Sequence, residues 1–220
     1  MKEISAKCIA KIFRILSKEI KKYRKPTVRR TSEKEDPFKT LITCLLSLRT
    51  QDKNTEKTSK ALFKIADTPR KILKLPIKRL EKIIFSSGYY KNKAKTIKHV
   101  SREILKKYNG KVPNDKEKLL EIKNIEPKTA NIVLCFSFKK NFIPIDTHVH
   151  VISNRLGWVK TKTAEKTEYA LEKVVPKKYW HELNTIFVLF GQKICITQLP
   201  WCSKCPIKKL CPKIDVKRSR

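Results

Sequence analysis

The sequence is short of acid. Twenty aspartates and glutamates face 53 lysines and arginines across 220 residues, a formal net charge of +33, where a small soluble domain carries roughly 2 to 8 in magnitude. Such a cation excess points to a polyanionic partner. Nucleic acid ranks first, a phosphorylated membrane surface second, and lysine-rich solubility alone third. Long apolar runs are missing too: none exceeds the five residues Ile186–Phe190, far below the ~20 needed to span a bilayer as a helix. The opening stretch M-K-E-I-S-A-K carries Lys7, Lys11 and Arg14 through its apolar positions, so it lacks the apolar core of a secretory signal. The protein is expected to stay inside the cell, in the cytoplasm and at the nucleoid of a prokaryote. Glycine occurs only four times, and no period-two alternation of useful length appears, which argues against sheets. Seven cysteines, an odd number without a secretory signal, argue against a disulfide framework.

What is present is helical. Apolar residues at Ile4, Cys8, Ile12, Ile15 or Leu16, and Ile20 recur at helical spacing between Lys2 and Tyr23. A polar connection, Arg24 to Glu35, then leads to Asp36-Pro37, an N-cap followed by a first-position proline. The helix that follows, F-K-T-L-I-T-C-L-L-S-L, is apolar nearly all round and should lie deep in the core. After R-T-Q-D an amphipathic helix runs to about Asp67. Thr68-Pro69 and Leu75-Pro76 each restart a helix, Ser86-Ser87-Gly88 breaks the chain, and a long helix from Lys91 to Tyr108 stops at Asn109-Gly110. Asn114 or Asp115 caps the next. Beyond residue 146 the pattern predicts helices over 147–156, over 164–174 capped by Thr163, and from 177 to about 191. The fold class is all-α.

The most informative stretch is Leu119 to Phe136, L-L-E-I-K-N-I-E-P-K-T-A-N-I-V-L-C-F, followed by I-P-I-D-T-H at 143–148. It reads as a short helix, a tight connection, and a second helix opened by Pro127. Lys128 then sits in the first turn, at the positive end of the macrodipole. That position, joined by desolvation, would favour a neutral, nucleophilic amine. Asp146 precedes Thr147 and is placed to N-cap the next helix. His148 and His150, two residues apart, point away from each other on a helix and do not form a metal site. Cys8, Cys44 and Cys135 fall in apolar helical patterns and read as small core residues. Cys195, Cys202, Cys205 and Cys211 are different: C-x6-C-x2-C-x5-C supplies four thiolates from one loop. Four cysteines suit either a 4Fe-4S cluster or a structural zinc. Zinc sites usually join two C-x2-C pairs and here there is one, and two C-P dipeptides are a mild ferredoxin-like cue, but neither decides between the two.

K-N-I-E-P-K-T-A-N followed by I-D-T-H-V-H-V-I-S-N-R-L-G resembles the endonuclease III branch of the helix-hairpin-helix DNA glycosylases, and the likeness covers nearly the whole chain. It implies two helical lobes: a helical barrel over 30–140 carrying the hairpin, and a discontinuous iron-sulfur lobe made of 1–29 and 141–220. The first helix would pack against the last ones. It implies that Lys128 attacks C1′ of a damaged nucleotide, that Asp146 assists, and that the four cysteines bind a 4Fe-4S cluster, as their spacing matches the family loop at every interval. Lys123, Asn124, Ile125 and Glu126 would form the phosphate-gripping hairpin. Arg49 would fill the gap left by an extruded nucleotide, with Tyr89 as wedge. Lys204 and Lys208 would meet the DNA backbone from the cluster loop. The sequence departs from the family pattern where Asn124 and Glu126 stand in place of glycines. A glutamate forced to positive φ would cost on the order of 1 to 2 kcal/mol. The implied activity is that of a monomeric, bifunctional glycosylase and AP lyase acting on oxidised or damaged pyrimidines in double-stranded DNA. A glycosylase for thymine or uracil opposite guanine, and a non-catalytic DNA-binding homologue, are the competing readings.

The charge yields the first testable outcome. With roughly 6 to 10 phosphates contacted, affinity for undamaged duplex should fall about 10³- to 10⁵-fold between 50 and 200 mM salt. A flat salt titration by fluorescence anisotropy would mean that the lysines are solvated decoration.

Overall fold

A computed structural model describes residues 5–34 and 36–220. Lys2 and Ile4 of the expected first helix, and Glu35 at the end of the first connection, lie outside the described residues. Among the described residues all regular structure is helical, with no strand. The helices are, in chain order, α1 (Ala6–Ile20), α2 (Thr27–Ser32), α3 (Pro37–Ser47), α4 (Asp52–Ile65), α5 (Pro69–Lys74), α6 (Ile77–Ile83), α7 (Tyr90–Tyr108), α8 (Lys116–Leu120), α9 (Pro127–Ile132), α10 (Thr147–Arg155), α11 (Ala164–Val174) and α12 (Trp180–Lys193). A π-helical turn, Val133–Ser137, continues α9, and a 3₁₀ turn, Lys177–Tyr179, leads into α12. None of these helices is long and apolar enough to cross a membrane.

Local chemistry starts most of them. Side chains of Ser5, Asp36, Thr68, Asp115, Asp146 and Thr163 each accept a hydrogen bond from the backbone N–H three residues on, satisfying one of the amides that a helix start leaves unpaired. Pro37, Pro69 and Pro127 occupy first-turn positions where no N–H is needed. At the far end of α7, Asn109 and Gly110 adopt positive φ (51° and 81°), and the Gly110 N–H donates to the Ile104 carbonyl at 3.0 Å, as in a left-handed helix terminus.

The chain divides into two compact units, Met1–Lys25 with Asn141–Arg220, and Pro26–Lys140. The boundary falls four residues before the expected 29/30 because the supposed polar connection contains α2. That helix exists through a distant partner: the Asp52 carboxylate accepts from the Thr27 N–H at 2.8 Å and from its hydroxyl at 3.0 Å, while Arg30 pairs with Glu56 at 3.0 Å. In this unit α3 is the central element, burying Phe38, Leu41, Ile42, Cys44, Leu45 and Leu46 and packed by α2, α4, α7 and α9.

In the discontinuous unit α1 packs on α12 and α12 on α10. The buried face of α1 is Ile9, Ile12, Phe13 and Leu16, with Cys8, Ile15 and Ile20 at its margin, so the apolar stripe centres beside the one expected from Cys8 and Ile20. Phe13 stacks on Tyr179 (ring centroids 4.2 Å apart), Trp158 (5.9 Å) and Phe187 (6.3 Å), which ties residues from distant parts of the sequence into one core.

Burial pushes the Cys44 and Cys135 thiols up to about 12, with nearby cations, Lys128 for Cys44 and Arg29 for Cys135, acting weakly against it. The thiolate is the reactive form. Iodoacetamide at pH 8 should therefore leave both unlabelled in the folded protein and label both in denaturant, as read by peptide mass mapping. Rapid native labelling at either position would contradict this packing.

Candidate functional site

The hairpin is built from α8, a six-residue connection and α9. Ile122 and Ile125 are its anchors, 0% and 5% exposed, and the connection is closed by the Ile122 N–H to Leu119 carbonyl (3.2 Å) and Ile125 N–H to Ile122 carbonyl (3.0 Å) hydrogen bonds. With the isoleucines pulled inward, Lys123, Asn124, Glu126 and Lys128 are left exposed. Asn124 takes the left-handed conformation, φ 74°, which asparagine tolerates better than most residues. Glu126 does not: at φ −88°, ψ 160° it is extended, as a residue before proline should be. The strain expected at Glu126 is therefore absent. Thr129, Ala130 and Asn131 are buried on the other side of α9, which fixes the outward register of Lys128. The protein by itself does not bury this side chain, contrary to the desolvation expected from the sequence.

Asp146 caps α10, its Oδ1 accepting from the Val149 N–H at 2.8 Å, and is half-buried. One bond thus fixes the carboxylate's direction and leaves its second oxygen without a helix amide. His150 Nδ1 lies 2.7 Å from the Thr167 hydroxyl, whereas His148 packs against Gly191, where no larger residue would fit. The two histidines have separate environments.

Arg49 and Tyr89 both adopt positive φ (49° and 57°). The Arg49 guanidinium lies 5.7 Å from the Tyr89 ring centroid, and both border a hollow also lined by Leu48, Lys93, Asn124 and Glu126. Two loops and the hairpin, expected separately from the sequence, therefore share one surface within the unit that carries Lys128. Lys93 is the residue that sequence reasoning missed. It is 7% exposed, and burial pushes its amine down to about 8. The signal was available: Lys93 shares the helical stripe of Ile97, Val100 and Ile104, all fully buried, so it is a cation on an apolar face.

In the other unit Cys195, Cys202, Cys205 and Cys211 line one cavity, together with Arg155, Trp201 and Ile207. Burial pushes the Cys205 thiol up to about 11 and raises those of Cys195 and Cys211. Arg155 opposes this at Cys195, where its Nη1 donates to Sγ at 3.4 Å. The same guanidinium binds the carbonyls of Cys195 (3.3 Å) and Ile196 (3.0 Å), so Arg155 holds the start of the cysteine loop. Among the described residues no three histidine, cysteine or acidic side chains are grouped so as to hold a single metal ion. Lys204, 5.0 Å from the Trp201 ring centroid, and Lys208 are exposed on this loop.

Residues 42–177 match the model of the HhH-GPD superfamily of base excision DNA repair proteins. Endonuclease III of Thermotoga maritima is 47% identical over 182 residues, 83% of this chain and 85% of the relative. The chain belongs to the endonuclease III family. Endonuclease III of Haemophilus influenzae is 35% identical over 80% of this chain and 83% of its own length. Among solved structures, a trapped endonuclease III–DNA covalent intermediate superposes with a TM-score of 0.82 at 30% identity, covering 96% of this chain and 97% of that one. A thermostable thymine-DNA glycosylase follows at 0.81 and 26%, covering 94% and 96%. The all-α helix-hairpin-helix fold and membership among DNA glycosylases of base excision repair stand on these likenesses.

Within this endonuclease III homologue the Asp146 cap is separable from any chemistry. Asp146→Ala should lower stability by about 0.5–2 kcal/mol, and Asp146→Asn by less, since asparagine also caps. Urea unfolding monitored by circular dichroism measures both. Equal losses for the two variants would show that capping is not what the carboxylate contributes to the fold.

Proposed function

We propose that the protein is a bifunctional DNA glycosylase and AP lyase that removes oxidised or otherwise damaged pyrimidines from double-stranded DNA, acting as a monomer in the cytoplasm of a prokaryote. The observation that carries this reading is Lys128, an exposed amine held outward from the second helix of the hairpin by the buried residues behind it. Its unprotonated Nζ attacks C1′, and the glycosidic bond breaks with its electron pair leaving on the base, which takes up a proton. The C1′–O4′ bond then opens, O4′ taking the electron pair and the proton given up by the attached amine, and the Schiff base so formed makes the C2′ hydrogen acidic. Loss of that proton expels the 3′ phosphate by β-elimination, and water then releases the lysine. Asp146 supports positive charge on the sugar and accepts a proton from the amine. Its cap to Val149 fixes the direction of the carboxylate.

DNA is held by the hairpin's backbone amides and by Lys123, Lys204 and Lys208. Arg49 and Tyr89 enter the helix where the nucleotide leaves it. The four cysteines would hold a 4Fe-4S cluster. Their side chains line one cavity, and their C-x6-C-x2-C-x5-C spacing matches the family loop at every interval. Held by these four cysteines, such a cluster would tie down the loop that carries Lys204 and Lys208. The likeness to a thymine-DNA glycosylase supports a second reading, removal of thymine or uracil opposite guanine. Lys128 argues against a monofunctional form of it.

Borohydride trapping on duplexes carrying oxidised pyrimidines, mismatched uracil or thymine, or a pre-formed abasic site reports substrate and mechanism together. Lys128→Gln should abolish both trapped adduct and strand cleavage while duplex binding stays nearly unchanged. Asp146→Asn should slow base release by roughly 10²- to 10⁴-fold yet still trap on abasic DNA. Trapping by Lys128→Gln at the wild-type rate would assign the chemistry to another amine, and no cleavage of any substrate by the iron-loaded wild type would leave a DNA-binding homologue.

A further inference from the structure

The turns that carry Arg49 and Tyr89 are separated in sequence by three helices, α4, α5 and α6, yet one buried ammonium holds both. Lys93 Nζ donates to the Leu46 carbonyl at 2.7 Å and the Leu48 carbonyl at 2.6 Å, where α3 ends. It also reaches the Thr50 hydroxyl and the Ser87 hydroxyl, each at 2.8 Å. Three protons serve four oxygens, so the contact is a shared cage rather than a single bond. The cage is reinforced without the lysine's help: the Gly88 N–H donates to the Thr50 hydroxyl at 3.1 Å, and Ser87 Oγ donates to the Leu46 carbonyl at 3.0 Å. At Gly88 a Cβ would come within 2.8 Å of the Arg49 carbonyl oxygen, so the two turns touch backbone to backbone. Arg49 and Tyr89 sit next to these contacts in left-handed conformations that non-glycine residues keep only where the surroundings hold them.

We propose that Lys93 is a positioning residue for nucleotide extrusion, locking the Arg49 and Tyr89 turns into one rigid probe without itself entering DNA. The inference rests on the proposed reading that Arg49 and Tyr89 enter the duplex. A wedge that must separate stacked bases works only if it does not yield, and each turn alone is a short exposed loop. The ammonium makes the two a single body: pushing on Tyr89 loads α3 through Ser87, Lys93 and Leu46. An internal comparison separates this role from simple helix capping. Lys98, one turn further along α7, donates to the Leu73 carbonyl at 2.9 Å and to that of Leu75, closing the end of α5, where neither probing turn is attached.

The test is single-turnover cleavage by the full-length, iron-loaded protein on two DNAs. One is a duplex with an oxidised pyrimidine beside 2-aminopurine, whose fluorescence reports unstacking. The other is a single strand with a pre-formed abasic site, which needs no extrusion. Lys93→Met should slow duplex cleavage and the fluorescence rise by about 10- to 100-fold, the scale of an angstrom-level misplacement, and change single-strand cleavage by no more than about 2-fold. Lys98→Met should lower stability and leave the ratio of the two rates unchanged. If Lys93→Met also leaves that ratio unchanged, while Arg49→Ala and Tyr89→Ala lower it, the lock is wrong and the probing role of the loops stands. If Arg49→Ala and Tyr89→Ala extrude normally, the underlying reading fails instead. Should Lys93→Met not fold, Ser87→Ala and Thr50→Val each remove one acceptor, and an unchanged ratio in both overturns the proposal.

Discussion

A helix ends in carbonyl oxygens that no amide of its own can reach, and this chain meets several of them with cations. Lys93 closes α3, Lys98 closes α5, Lys139 reaches the Phe136 carbonyl in the π-helical turn, and Arg155 gathers the carbonyls beyond α12. At the ends of α3 and α5 the positive charge sits where the macrodipole is negative, so electrostatics and hydrogen bonding act together. The charge excess therefore divides into two populations. One is structural, partly or wholly buried and saturated with acceptors. The other is exposed and remains for a polyanion.

The hairpin shows the same economy on a smaller scale. Two buried isoleucines hold it, one asparagine supplies the left-handed turn, and a proline starts the outgoing helix. Glu126 keeps its charge at the surface without distorting the chain, since its backbone is extended. The departure from the family's glycines thus alters the electrostatics of the hairpin surface rather than the geometry of the turn. Lys123 and Lys128, on either side, set the local balance back towards positive.

What could be read from the sequence was what is encoded within a few residues. Asp36, Thr68, Asp146 and Thr163 announce helix starts because cap and amide lie three residues apart. The four cysteines, close together in sequence, announce a shared cavity. The stretch that forms α2 reads as a connection because its stabilising partners, Asp52 and Glu56, lie about one helix further along the chain, and no local pattern records them. Nothing local marks Arg155, because its acceptors are backbone oxygens some forty residues away, which leave no trace in side-chain identity. At Glu126 two local signals conflict: the family's glycines point to a flexible residue, whereas Pro127 restricts the position to extended backbone, and the latter prevails. Lys128 showed its place at the start of a helix but not its exposure, which depends on what packs behind α9.

The close approach of Gly88 to the Arg49 carbonyl has a consequence for how this surface can change. Thr50, Ser87, Gly88 and Lys93 form an interlocked set in which each member's size or polarity presupposes the others. The side chains at positions 49 and 89 can be exchanged independently, since neither belongs to the interlock. The frame beneath them has to be exchanged as a block. Grafting either turn alone from a relative would bring one half of a lock without its key, whereas transplanting residues 46–50 together with 85–93 would move a working part.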